Sequence, residues 1–328
     1  MASDSSRSTL HARIGMVGKG KVALVVGASR GMGRQIALDL AAVGNYAVAV
    51  AAKTRSKDLH AINLNANANS SESTVDVVSE LIKRNGGRAV AITVDVRDES
   101  SVTNMVSQTM KVFGRLDVLV YNPGAIWWAS VKETPYKRFD LMQRVNPGGL
   151  YASIQAVLPR LALDGRIVVV SPPIYRRFVR GKTAYAMGKF GMSALTLGLS
   201  IDFERDQAAS GSTNPVRRAI TSIWPAAAIE SAATEHNKSA REHLRKPTIF
   251  SDAILAMLAA PAPSVNGLLA TDEDFLRDVA GVSDFSEYTL VAGTTPRRIM
   301  PIHFPELRVA EEDDEGVRMD SGHLLAKL

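Results

Sequence analysis

The chain has no cysteine. Disulfide bridges, thiolate metal sites and a cysteine nucleophile are therefore all excluded. Its six histidines show no HExxH-type spacing, so a metal centre is not expected either. No apolar run approaches the roughly 18 residues that would cross a bilayer, and no membrane span is expected. Charge of one sign is scarce as a block: 39 basic residues stand against 33 acidic ones, a formal +6 spread along the chain. That surplus suits an anionic small ligand better than nucleic acid, which is not an expected partner. The first twenty residues, MASDSSRSTLHARIGMVGKG, lack the apolar segment of a secretory signal. They read as a flexible N-terminal extension, residues 1–20.

What is present is apolar and alternating. Apolar residues make up 46% of the chain, enough for a full core. From Lys21, short β-branched runs alternate with longer amphipathic stretches: Val22–Val26, Tyr46–Ala51, Ala89–Val94, Asp117–Tyr121, Arg166–Val170 and Arg218–Trp224. Runs this apolar on both sides are buried on both faces, as in a parallel sheet between helices. The expected fold is α/β, a Rossmann-type doubly wound parallel sheet in a single domain over residues 21–289. A polar loop, Asn63–Ser73, interrupts the alternation and reads as mobile. Residues 290–328, with the acidic Glu311–Gly316, read as a C-terminal arm, either solvated or an oligomer contact.

Behind the first run comes VVGASRGMGRQ, with Gly27, Gly31 and Gly33 spaced as GxxxGxG. A loop that feeds a helix N-terminus presents unpaired N–H groups and the positive end of the helix dipole. Pyrophosphate is the anion such a loop binds. A tight strand-to-helix turn without ligand is the plainer alternative. Twenty residues beyond Gly33 stands Lys53, at the end of the second run, and no carboxylate occurs between Asn45 and Lys57. An NAD site usually offers a carboxylate here to the ribose hydroxyls, whereas a cation suits the 2′-phosphate of NADP. Arg30, inside the glycine loop, is a second candidate for that phosphate.

TAYAMGKFG contains Tyr185 and Lys189, four residues apart and so on one face of a helix. A tyrosine is a poor acid or base at neutral pH, and a nearby ammonium is expected to lower its pKa. The pair follows the fifth run, where the carboxyl ends of such a sheet face the ligand.

Taken together these motifs resemble the short-chain dehydrogenase/reductase family from about Lys21 to Thr289. They occur in the family's order: GxxxGxG at Gly27, DVRD at Asp95–Asp98, YNPG at Tyr121–Gly124, RVN ending at Asn146, SPP at Ser171, YxxxK at Tyr185 and WPAAAI from Trp224. Finer stretches, among them VAAKT and LLATDEDFLRDVAGVSDFSEY, are similar to the family's hydroxysteroid dehydrogenase-like branch. Its animal members append a sterol-carrier domain, which is not expected within these residues. The resemblance implies an NADP(H) cofactor held by Gly27, Ser29, Arg30, Gly31, Met32, Gly33, Lys53, Asp95, Val96, Asn122, Gly124, Pro225 and Ile229. It implies Tyr185 as general acid or base, with Lys189 tuning it and holding the nicotinamide ribose. Asn146 would position a water leading to Lys189. Tyr121 and Pro123 replace the usual Asn and Ala, and Ala226 replaces the glycine of the usual Pro-Gly pair. The usual catalytic serine falls on Pro172, so Ser171 sits one place early and is either a substrate contact or a strand-end serine.

Trp127, Trp128, Tyr175 and Phe178 fall in loops expected to line the substrate side, and they suggest an apolar carbonyl or alcohol substrate. Core or subunit packing is the alternative for some of them. The leading expectation is an NADP(H)-dependent oxidoreductase; the rivals are a non-catalytic cofactor-binding scaffold or sensor, and a non-redox biosynthetic role. Family members commonly form homodimers or homotetramers. The terminal Ala326, Lys327 and Leu328 vary the Ser-Lys-Leu signal of the peroxisomal import receptor, so a peroxisomal location is expected, otherwise a cytoplasmic one.

Overall fold

In the computed structural model, residues 7–59, 62–211, 217–236 and 240–307 are described. Glu311–Gly316 and the Ala326-Lys327-Leu328 terminus lie outside the described residues. The elements run α1 (Arg7–Ile14), β1 (Val22–Val26), α2 (Gly31–Ala42), β2 (Ala47–Ala52), α3 (Val75–Arg84), β3 (Ala89–Thr93), α4 (Glu99–Phe113), β4 (Leu116–Tyr121) and α5 (Tyr136–Gln143). They continue with α6 (Gly149–Val157), β5 (Leu161–Val170), α7 (Thr183–Ala209), β6 (Ala219–Trp224), α8 (Ala232–His236), α9 (Thr248–Ala259), α10 (Ala262–Val265), β7 (Leu269–Thr271) and α11 (Asp272–Asp278).

The seven strands form one parallel sheet in the order β3-β2-β1-β4-β5-β6-β7. Successive β1 residues turn to opposite faces, and both faces are dry. Ala23 and Val25 pack with Ile36 and Leu40 of α2, Val78 of α3 and Ile254 of α9; Leu24 and Val26 pack with Met105 of α4, Leu150 of α6 and Met192 of α7. This double burial is why the strands read as continuous apolar runs. The chain leaves β1 toward one edge and β4 toward the other, so a crevice opens at their carboxyl ends, where open α/β sheets bind ligands.

Four sequence expectations need correction. Residues 7–14 are not a loose lead-in: α1 buries Leu10 and Ile14, and Arg7 and His11 contact the buried Asp252 of α9 at 2.6 and 2.8 Å. The Asn63–Ser73 loop lies against the glycine loop, with Ala68 O accepting from Gly31 N at 3.0 Å and Ser73 Oγ donating to Ser29 O at 2.6 Å. Residues 290–307 also pack on the domain. There Ile299 N and Met300 N donate to Ala226 O, and Arg298 holds Asp274. A seventh strand, β7, follows the six expected ones.

Candidate active site

The β1–α2 turn holds the glycines for different reasons. Gly27 has φ +77°, and an added Cβ would press on Pro123; Gly31 has φ +56°, with Asn69 and Ser231 at ordinary contact distance from where a Cβ would stand. Gly33 lies beneath, where a side chain would collide with the Gly27 carbonyl, so its bareness brings helix and strand together. At the start of α2 the N–H groups of Met32 and Gly33 have no carbonyl four residues back within the helix. Asn122, at the end of β4, donates from Nδ2 to Gly27 O at 3.0 Å, and its buried Oδ1 has no partner.

This turn forms one end of a cleft of about 580 Å³. The cleft brings together Gly27, Ser29, Arg30, Gly31, Met32, Lys53, Asp95, Val96, Asn122, Gly124, Tyr185 and Lys189. Gly33, Asn146, Ser171, Pro225 and Ile229 do not line it, nor do Trp127, Trp128, Tyr175 and Phe178. Arg97, Ile126, Leu141, Val145, Trp224, Ser231, Ala232 and Ala233, none of them named as a site residue from sequence, do line it. Of these only Arg97, inside DVRD, carried a charge signal.

At the β2–β3 end, Lys53 is 69% exposed in its side chain and meets Asp95 at 3.1 Å. The absence of a carboxylate along β2 is therefore offset by one from the neighbouring strand end. Arg97 grips the same carboxylate, and with Lys53 it holds Asp95 well below the usual carboxylate range. Two cations on one anion leave this end net positive.

Tyr185 and Lys189 stand in the first two turns of α7, both buried. Lys189 Nζ donates to Val170 O at 2.8 Å and lies 5.3 Å from the Trp224 ring centre, with no carboxylate paired to it. Burial lowers its pKa to about 7. Tyr185 departs from expectation: burial raises its pKa rather than the ammonium lowering it. The cause is local, since Phe178 stacks 6.3 Å from its ring and Trp128 meets it edge-on at 6.4 Å, while Lys189 turns to Val170. At neutral pH the phenol keeps its proton.

Asn146 sits in a single π-helical turn, Arg144–Gly148, which contains Pro147 and so lacks one backbone donor. Its side chain accepts from Ala125 N at 2.8 Å and donates to Ala125 O at 3.2 Å, fixing the backbone that follows Gly124. Tyr121 explains its own departure from the family pattern, because its hydroxyl donates to Val145 O at 2.6 Å and anchors that turn. Ser171 is fully buried one residue past Val170, and its Oγ has no partner. Of the two roles left open for it, substrate contact or strand-end serine, this buried placement off the cleft lining matches the second. Ile229 is buried and pinned through Thr234, whose hydroxyl donates to Ile229 O at 3.1 Å. Trp127, Tyr175 and Phe178 join Phe190 and Trp224 in an aromatic cluster beside Tyr185.

A nicotinamide dinucleotide fits this donor set. The bare Gly27–Gly33 turn suits the pyrophosphate, the β2–β3 end with Lys53 and Arg97 suits the adenosine, and the buried, unpartnered Asn122 Oδ1 is an acceptor that a bound group would satisfy. Gly124 leaves room beside Lys189, whose Nζ lies 3.5 Å from where a Cβ would stand. Among the described residues no cluster of side chains suits a metal ion.

Comparison with known proteins agrees with this geometry. The short chain dehydrogenase family model matches residues 56–215. Hydroxysteroid dehydrogenase-like protein 2 from Mus musculus is 32% identical over 280 residues, which is 84% of this chain and 52% of that protein. The Homo sapiens protein of the same name is also 32% identical, with 84% and 61% covered. The chain thus spans about half to three-fifths of these two relatives. Among solved structures, a Xanthomonas campestris protein provisionally described as a dehydrogenase is 33% identical at a TM-score of 0.73, covering 89% of this chain and 99% of that one. A short chain dehydrogenase from Mycobacterium thermoresistibile is 29% identical at 0.72, with 88% and 96% covered. The chain belongs to the short-chain dehydrogenase/reductase family.

Proposed function

We propose that the protein is an NADP(H)-dependent oxidoreductase that interconverts a carbonyl and an alcohol on an apolar substrate. The observation that carries this reading is the meeting of Tyr185 and Lys189 with the glycine turn in one cleft. A protonated phenol at the cleft is in the form that donates to a carbonyl oxygen. When bound, the nicotinamide supplies the hydride. Lys189, with its pKa lowered to about 7, is able to exchange protons near neutral pH from its place beside the same cleft. Asn146 acts from behind by holding Ala125. Trp224 and Ile126 on the cleft wall, with the aromatic cluster next to Tyr185, favour an apolar substrate body.

Preference for NADP(H) rests on Lys53, Arg97 and Arg30, which line the cleft with Asp95 at this end. The glycine turn does not sense the ribose substituent. Discrimination falls to Lys53, which is exposed at the end of β2 beside Asp95 and would hold a 2′-phosphate. A charge-assisted contact there is worth about 1.5–3 kcal/mol, or about ten- to a hundredfold in affinity. Titrating NADPH and NADH against wild type and Lys53→Asp at fixed ionic strength tests this. Wild type is expected to bind NADPH more tightly, and the variant to lose NADPH affinity far more than NADH. Equal affinities in wild type, or equal losses in the variant, would overturn the cofactor assignment.

A further inference from the structure

Lys182 stands just before α7, three residues ahead of Tyr185. Its ammonium lies 4.0 Å from the ring centre of Phe178 and 5.7 Å from that of Trp128. These are the same two rings that flank Tyr185, at 6.3 and 6.4 Å. Cation and phenol therefore share one aromatic wall.

The placement is unfavourable for a cation left alone. Lys182 is half-buried, and burial lowers its pKa. Among the described residues no carboxylate pairs with it. Of the elements packed on the start of α7, α5 carries Asp140, and the others are poor in carboxylates. Residues 118–132, 171–201, 218–229 and 288–305, which supply the end of β4, the start of α7, the end of β6 and the outer arm, contain no Asp or Glu. The first turn of α7 has no acidic residue and directs the positive end of a 27-residue helix toward the same place. Contact with ring faces offsets part of this cost but neutralises no charge. Arg176, Arg177 and Arg180 nearby are exposed and solvated, so the half-buried Lys182 is the group that lacks an anion.

We propose that Lys182 is a specificity-determining residue that receives a carboxylate carried by the apolar substrate, next to the carbonyl or alcohol at Tyr185. A monoanion matches the single ammonium between aromatic faces, whereas a phosphate dianion would carry surplus charge into an apolar wall. This rests on the oxidoreductase reading of the cleft that Tyr185 lines, beside which Lys182 stands through the rings of Phe178 and Trp128, and it narrows the substrate to oxo or hydroxy acids.

The test compares straight-chain oxo acids of increasing length with their methyl esters, in wild type, Lys182→Met, Lys182→Arg and Arg177→Gln. Binding is read from tryptophan fluorescence, since Trp127, Trp128 and Trp224 are the chain's three tryptophans. Turnover with NADPH is read separately. Wild type is expected to prefer the acid over its ester by about ten- to a hundredfold in affinity. Lys182→Met should bring that ratio toward one, while Lys182→Arg and Arg177→Gln keep it. Equal binding of acid and ester in wild type, or a preference that survives Lys182→Met, would overturn the proposal. A lysine-dependent acid preference without turnover of any carbonyl would uphold the anion site and sink the oxidoreductase reading. Turnover without acid preference would do the reverse.

Discussion

An ammonium buried beside no carboxylate, as Lys189 is, costs the fold stability that function must justify. Its pKa is near 10.4 in an unfolded chain and about 7 here, lowered by burial. Between those values the unfolded chain binds more protons than the folded one, so this group makes stability rise with pH from about 7 to about 10. Lys189→Met keeps the shape and removes the charge. Thermal unfolding should show the variant more stable by about 1–2 kcal/mol at pH 7, the difference shrinking toward pH 10, with turnover lost. A less stable variant at pH 7 would contradict the burial cost. Ser171 raises a related question, because a buried hydroxyl without a partner carries an unmet desolvation penalty of about 1–3 kcal/mol. In Ser171→Ala, unfolding should be unchanged or shifted toward greater stability, and kcat should move by less than about threefold. A fall of about a hundredfold with cofactor affinity intact would instead place this hydroxyl on the reacting oxygen.

Among the elements, the turn after β6 depends on a single buried carboxylate. Asp272, at the start of α11, accepts from Ala226 N at 2.8 Å, while Ala226 O takes the N–H groups of Ile299 and Met300. Burial raises the Asp272 pKa to about 7. A carboxyl whose folded pKa lies above its unfolded value near 3.9 makes stability fall as pH rises from about 4 to about 7. Asp272→Asn retains an oxygen acceptor without the charge. It should gain about 1 kcal/mol or more over wild type at pH 8 and much less at pH 4, measured by urea unfolding at both. An equal difference at the two pH values would reject the titration. The same elements mark what sequence could carry. Six strands were legible because double burial makes each an apolar run, and β7 was not because it is three residues long with two only half-buried. Helix α1 buries just Leu10 and Ile14 and is held by Arg7 and His11 to Asp252, some 240 residues away. No local pattern encodes such a partner.

Across the whole molecule, motif order placed the glycine turn, Tyr185 and Lys189 at one cleft but not Asn146, Ser171, Pro225 or Ile229, while burial set the environment of each. Tyr185, Lys189 and the glycine turn were legible because short motifs fix them at strand ends. The upward pKa of Tyr185, the burial of Ser171 and the hold of Asp95 on Lys53 were not, since each arises from a neighbour on another strand or helix. The account as a whole stands on Tyr185 passing a proton to a carbonyl oxygen. The most direct measurement is NADPH oxidation with a panel of apolar aldehydes, ketones and oxo acids, run for wild type and Tyr185→Phe with cofactor affinity titrated in both. The account predicts turnover by wild type and a loss of about a hundredfold or more in the variant, which still binds NADPH. Near-normal turnover by Tyr185→Phe, or no oxidation by wild type of any carbonyl in the panel, would contradict it.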